Sequence, residues 1–193
     1  MSRHITKICQ SAYFHLRNIA RIRKYLSSAA AQKLIHAFVS SRIDSCNSLL
    51  IGLPQQQITK LQHVHNAAAK LVTKSRKHDH VTPILRQLHW LPVMYRIRFK
   101  VLMLVFKCLH GLAPSYLKEL LVPYTPPRAL RSCNQFLLSD TAPKSSKVTV
   151  GDRAFSRIAP KLWNELPLHI RSSSCLVSFK TALKTHYFRH AFF

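Results

Sequence analysis

The chain has 193 residues, 47% of them hydrophobic, with 30 Lys and Arg against 6 Asp and Glu and a formal charge of +24. That apolar share can build a core and excludes compositional disorder, while six scattered acids exclude most self-contained hydrolases and polymerases. Thirty cations without acids to pair with require an outside anion, nucleic acid before an anionic membrane surface.

Residues 3–24 place Ile5, Ile8, Ala12, Leu16, Ile19 and Ala20 at helical spacing, with Lys7, Arg17, Arg21 and Lys24 on another arc of the same wheel. Ser27 or Ser28 caps a second helix through Ala31, Leu34, Ile35, Phe38 and Val39 to about Leu50, ended by Gly52 and Pro54. A third helix over 55–73 is the cleanest two-faced segment: Ile58, Leu61, Val64, Ala68, Leu71 and Val72 oppose Lys60, His63, Lys70 and Lys74. After a polar, basic connection at 75–80, a short helix covers 83–88 and is broken at Leu91-Pro92. The fifth, over 93–110, is apolar nearly all round, with Arg96, Lys100, Lys107 and His110 in an arc of about 80°. Gly111 ends it, and Pro114 starts a sixth helix through Leu121.

From 122 to 150 the pattern changes to an extended Pro- and Ser-rich strap holding Pro123, Pro126, Pro127 and Pro143, with 136–138 and 148–150 as candidate short strands. Helical spacing resumes with Asp152 as the expected N-cap and Phe155, Ile158, Leu162 and Leu166 on one face, and Pro160 is expected to kink or divide that helix. A last helix from about Ser174 aligns Leu176, Phe179, Leu183 and Tyr187. The expected fold is mainly α: a helical bundle over 1–121, an extended linker over 122–150 and a two-helix module over 151–193, with no internal repeat.

Cys9, Cys46, Cys108, Cys133 and Cys175 form an odd, widely spaced set with no Cys-x-x-Cys pair, which reads as reduced thiols of an intracellular, nuclear or cytoplasmic protein. The longest apolar run is six residues, 101–106, so no bilayer span is expected. Residues 1–43 hold eight Lys and Arg and several Ser before the first acid, Asp44, a composition shared with mitochondrial transit peptides, which makes import a minority alternative.

No Asp-Asp pair exists to hold two metal ions, and Asp44 sits beside Arg42 on a helix. Among twelve His, His186 with His190 and the His78-Asp79-His80 cluster lack a third ligand at a motif spacing, so neither metal nor cofactor is expected. Three isolated Gly cannot form a phosphate-cradling loop, and Trp90 and Trp163 stand in apolar company that favours packing over base stacking. The expected core is Leu16, Leu34, Phe38, Leu61, Leu71, Trp90, Phe99, Leu102, Val105 and Leu109. The expected phosphate contacts are Arg17, Arg21, Lys24, Lys60, Lys70, Lys74, Arg76, Lys77, Arg96, Lys100 and Lys107, because cationic helix faces normally carry acids between their Lys and these do not. No base-reading code is visible. A basic helical scaffold with an acidic protein partner is the alternative.

Several long motifs carry a resemblance. They are Leu88-His89-Trp90-Leu91-Pro92-Val93, Lys107-Cys108-Leu109-His110-Gly111-Leu112-Ala113-Pro114, and Gly151-Asp152-Arg153-Ala154-Phe155 running on to Leu162-Trp163-Asn164-Glu165-Leu166-Pro167. Together with Ser40-Ser41-Arg42-Ile43-Asp44 and Cys46-Asn47-Ser48-Leu49-Leu50, they resemble the C-terminal end of LINE-type, jockey-superfamily non-LTR retrotransposon reverse transcriptases. The resemblance covers essentially the whole chain. It implies a non-catalytic, thumb-like bundle and tail that grip RNA, DNA or their hybrid, with the catalytic palm as a further partner. Ser45 stands where the family usually has an aromatic residue, and His65 where it usually has Gln. The paired aspartates of the family's palm and its zinc-knuckle cysteines are not present here, so polymerase activity is not implied.

Overall fold

A computed structural model describes residues 1–126, 135–139 and 150–193 of the chain. The described residues are mainly helical: α1 (Ser2–Ile22), α2 (Ser28–Ile35), α3 (Ser41–Asp44), α4 (Gln55–Thr73), α5 (Val81–Gln87), α6 (Val93–Leu109), α7 (Ser115–Lys118), α8 (Phe155–Asn164), α9 (Leu168–Arg171) and α10 (Leu176–Phe192). They form two compact units, Met1–Ile97 with Phe188–Phe193, and Arg98–Tyr187. The division falls inside α6 and α10, whereas composition placed breaks at 121 and 150.

In the first unit α1 and α4 pack along one another, and α2 lies against both. Their buried stripes are those of an amphipathic period: Ile5, Ala12, Leu16 and Ile19 from α1 meet Ile58, Leu61, Val64, Ala68 and Val72 from α4. Ser27 caps α2 as expected, its hydroxyl accepting from the Ala30 N–H at 3.2 Å. The long second helix does not run through unbroken. A π-helical segment, His36–Ser40, separates α2 from α3, and a 3-10 turn, Asn47–Leu50, follows Cys46 in the left-handed region.

That insertion overturns one core assignment. Ala31, Ile35, Val39 and Ile43 are buried at a strict spacing of four, which would drift about 40° per step on a regular α-helix. The wider turn absorbs the drift and rotates Phe38 outward, where it is 44% exposed and its ring stacks on His15 with centroids 5.3 Å apart. Of the other expected core residues, Leu16, Leu61, Trp90, Leu102 and Val105 are buried, and Leu34, Leu71, Phe99 and Leu109 are half-buried.

In the second unit Phe106, Trp163 and Phe179 form an aromatic cluster, with Phe106 and Phe179 stacked at 4.4 Å. Among the described residues no strand forms. The segment around Leu138 makes one isolated antiparallel bridge to Pro123, flanked by Tyr124 N–H donating to Leu137 O at 2.9 Å and Ser139 N–H to Val122 O at 2.8 Å, so that proline stands where the ladder needs no donor. Residues 148 and 149 of the other candidate strand lie outside the described residues, and Val150 opens a 3-10 turn. Asn164 holds the bridged segment from the side: its amide donates to Leu138 O at 2.8 Å and accepts from Leu138 N at 2.9 Å.

Two helix-end expectations are corrected. Asp152 is not the N-cap of α8; it lies in the preceding 3-10 turn and pairs with Arg157 at 2.7 Å, and Ala154 occupies the cap. Pro160 does not divide α8. It is buried in the face formed with Ala159, Leu162 and Trp163, whose packing outweighs the hydrogen bond that its missing N–H forfeits. The sixth helix is also shorter than expected, a single turn begun at Pro114.

Candidate nucleic-acid interface

The sequence of α1 and α4 contains no acid, so every charge that these two helices present is positive or a His. The helices run in the same direction. Near their starts Cys9 lies beside Lys60, and at their ends Arg23 hydrogen-bonds the last turn of α4. Between them opens a cleft of about 560 Å³ whose walls include Gln10, Tyr13 and Arg17 from α1 and Lys60 and His63 from α4. At about 100° per residue, Lys7, Arg17 and Arg21 of α1 fall within about 80° of one another, away from its buried stripe, and Lys24 follows in the 3-10 turn Arg23–Tyr25. Lys60, His63 and Lys70 likewise fall within about 80° on α4, opposite its buried stripe, and Lys74 follows as the left-handed residue that ends the helix. Of the two rows, Arg17 and Lys60 line the cleft, and the other cations lie along the same two helices and the turns that end them.

Arg17, Arg21, Lys24, Lys60, Lys74, Arg76 and Lys77 are exposed, and Lys70 is half-buried. The Lys70 ammonium donates to Lys77 O at 2.6 Å, drawing the basic loop that carries Arg76 and Lys77 back onto the end of α4. The Asp79 carboxylate accepts from the Arg76 N–H at 2.6 Å and shapes the same turn. Exposed aromatic rings stand among these cations. Phe14 is 54% exposed on the same arc as Lys7 and Arg21, and the Lys24 ammonium sits 4.8 Å from the centroid of the Tyr25 ring. The polar groups inside the cleft are tuned by the same surroundings: burial pushes the Cys9 thiol up, partly offset by Lys60, and burial pushes the Tyr13 phenol up.

The third row is divided between the two units. Arg96 makes a two-pronged pair with Asp44, Nε donating to Oδ1 at 2.9 Å and Nη2 to Oδ2, so its charge is already answered within the chain. The Arg42 guanidinium, beside Asp44 in sequence, donates to Phe38 O at 3.2 Å. Lys100 is exposed and Lys107 half-buried, both in the second unit. The Asp44–Arg96 pair is partly wet, with side-chain exposures of 36% and 19%. Asp44→Asn should therefore lower stability by on the order of 1 kcal/mol, read as a shift of the urea midpoint.

Three residues outside the expected set organise the molecule. Arg23 is 5% exposed and faces no phosphate. Its guanidinium donates to Leu71 O at 2.9 Å, Val72 O at 2.6 Å and Leu26 O at 2.7 Å, closing the C-terminus of α4. His65 is 1% exposed and packs on the Trp90 ring at 5.2 Å. Arg171, in the second unit, is 7% exposed. The Ser172-Ser173-Ser174 run follows Arg171 directly in the sequence.

Among the described residues no cluster of three or more His, Cys, Asp or Glu is placed to hold a metal ion, and no helix is long and apolar enough to cross a membrane. Cys9, Cys46, Cys108 and Cys175 are free thiols. No protein-family model, curated protein or solved structure matches the chain.

Proposed function

We propose that this protein binds nucleic acid through the phosphate backbone, as the non-catalytic, thumb-like and tail portion of a retrotransposon-type reverse transcriptase. The observation that carries the reading is the α1–α4 groove, where Arg17 and Lys60 face one cleft and no acid on either helix neutralises them. A polyanion laid along that groove meets Arg17, Arg21 and Lys24 on one bank and Lys60, Lys70 and Lys74 on the other, continuing to Arg76 and Lys77. Such contacts position a strand without reading its bases. The exposed rings of Phe14 and Tyr25 add a face on which unpaired bases stack, which favours substrates with single-stranded character. The polymerase chemistry belongs to a palm domain that supplies the paired aspartates, and the grip on template and primer belongs here.

Counter-ion release makes this testable. With six or more phosphates engaged, affinity for a mixed-sequence RNA–DNA hybrid or a single strand should fall roughly a thousandfold between about 50 and 200 mM salt. Arg17→Gln with Lys60→Gln should reduce the slope of log affinity on log salt by about 2, whereas Lys180→Gln with Lys184→Gln on α10 should leave affinity within about twofold. A shallow salt dependence would favour an acidic protein partner docked through a packed interface. Equal losses from the two double variants would reject the groove as the binding face.

A further inference from the structure

The second unit contains a cavity of about 430 Å³ that the nucleic-acid reading does not use. Arg171 lines it, at the end of α9, and so do Ser172, Ser173 and Ser174, which lead directly into α10. Arg171 is 7% exposed, and its Nε and Nη1 are buried without any hydrogen-bond partner. Among the described residues no carboxylate pairs with it: Asp44 is taken by Arg96 and Asp152 by Arg157. A buried guanidinium left without a counter-charge is strongly unfavourable, so a native fold that keeps one has a partner for it. Desolvation lowers its proton affinity, as expected for a cation held away from water.

The rest of the lining indicates what that partner is. Ser173 donates its hydroxyl to Ile170 O at 2.7 Å, while the hydroxyls of Ser172 and Ser174 make no such bond and remain free to donate. The Trp163 indole N–H is satisfied by Phe136 O at 2.7 Å and takes no part. Leu109, Leu138 and the Trp163 ring add apolar lining, with His110 beside them and its Nδ1 against Phe106 O at 2.9 Å. We propose that this cavity binds a phosphate-type oxyanion carried on an apolar or aromatic body, clasped by the Arg171 guanidinium and the Ser172 and Ser174 hydroxyls. A planar fork of N–H donors with two hydroxyls offers more donors than the two oxygens of a carboxylate use, and suits three phosphate oxygens. The volume falls within the range of small-molecule sites and accommodates a group of mononucleotide size. The site is independent of the α1–α4 groove, which lies wholly in the first unit.

A buried Arg Nε–H exchanges slowly enough to be followed by heteronuclear NMR on the full chain, and the cross-peak that disappears in Arg171→Lys identifies its own. Inorganic phosphate, titrated at constant ionic strength, should shift that peak saturably, and the affinity should be the same in the Arg17→Gln, Lys60→Gln variant. Arg171→Lys should bind phosphate at least about tenfold more weakly, followed by the phosphate-dependent rise in thermal midpoint. A peak unmoved by phosphate, or moved equally by chloride, would show that water alone fills the cavity and would overturn the proposal. Saturation by acetate at lower concentration than phosphate would also overturn it, in favour of a carboxylate ligand. Loss of the shift in the Arg17, Lys60 variant would assign the effect to the groove instead. If Arg171→Lys misfolds, the titration of the unmodified chain still decides, with the peak assigned through its contacts to Ser172.

Discussion

Replacing Arg23 with Ala should lower the free energy of unfolding by about 3 kcal/mol, read from the urea midpoint at neutral pH. The size follows from what the guanidinium closes. Leu71 O and Val72 O belong to the last turn of α4, where intrahelical donors have run out, and Arg23 supplies both at 2.9 and 2.6 Å. Its Nη1 donates to Leu26 O at 2.7 Å and its Nη2 also reaches Ser28 Oγ at 3.3 Å, so one side chain fixes the turn after α1 to the end of α4. A cation at that end also meets the negative pole of the helix dipole. Arg23→Lys keeps this charge but not the planar fork, and should recover less than half of the loss. Because α1 and α4 are the two banks of the groove, Arg23→Ala should also weaken nucleic-acid binding without changing its salt slope, as Arg23 faces no solvent. A variant within about 0.5 kcal/mol of the parent would mean that water serves those carbonyls equally well.

The same residue shows where the sequence stops being informative. The extents of α1, α4 and α6 were legible because each carries an uninterrupted apolar stripe at helical period, and the ends of α4 and α6 agree with the periodic reading to within a residue. Ser27 as a cap and Pro114 as a helix start were legible from local chemistry alone. Phe38 was not, because a π insertion changes the phase of a stripe without any composition of its own. Asp152 misled because a capping acid and an acid paired to the next turn's Arg157 look alike in sequence. For the site, the rows on α1 and α4 could be read from the wheel, but that Arg17 and Lys60 share one cleft depends on the packing of two helices, one ending at Ile22 and the other starting at Gln55. Arg23, Arg96 and Arg171 look like any other cation in a chain with thirty of them. Only tertiary structure separates a cap, an ion pair and a buried, unpaired guanidinium from a free phosphate contact.

Acidification should destabilise the first unit through His65, by about 2.5 kcal/mol between pH 7 and pH 4.5. The ring is 1% exposed, and burial, reinforced by the Arg96 charge, lowers its pKa to about 3. Asp44 and the Leu91 backbone oppose that shift, yet neither ring nitrogen reaches a partner at hydrogen-bonding geometry, so desolvation prevails. In the unfolded chain the same imidazole titrates near its ordinary value of about 6.5. Between those two values the unfolded state holds a proton that the native state refuses. The native state keeps its full stability above about pH 6.5 and loses it progressively as pH falls toward 3. His36, also on the Trp90 ring and likewise lowered by burial, adds to the trend in the same direction. His65→Leu removes the titrating group while keeping an apolar side chain against Trp90. Its stability should therefore fall less steeply than the parent's from pH 7 to 4.5, with the difference between the two profiles reaching about 2.5 kcal/mol. Parallel profiles would place the acid sensitivity elsewhere, with His36 as the next group to remove.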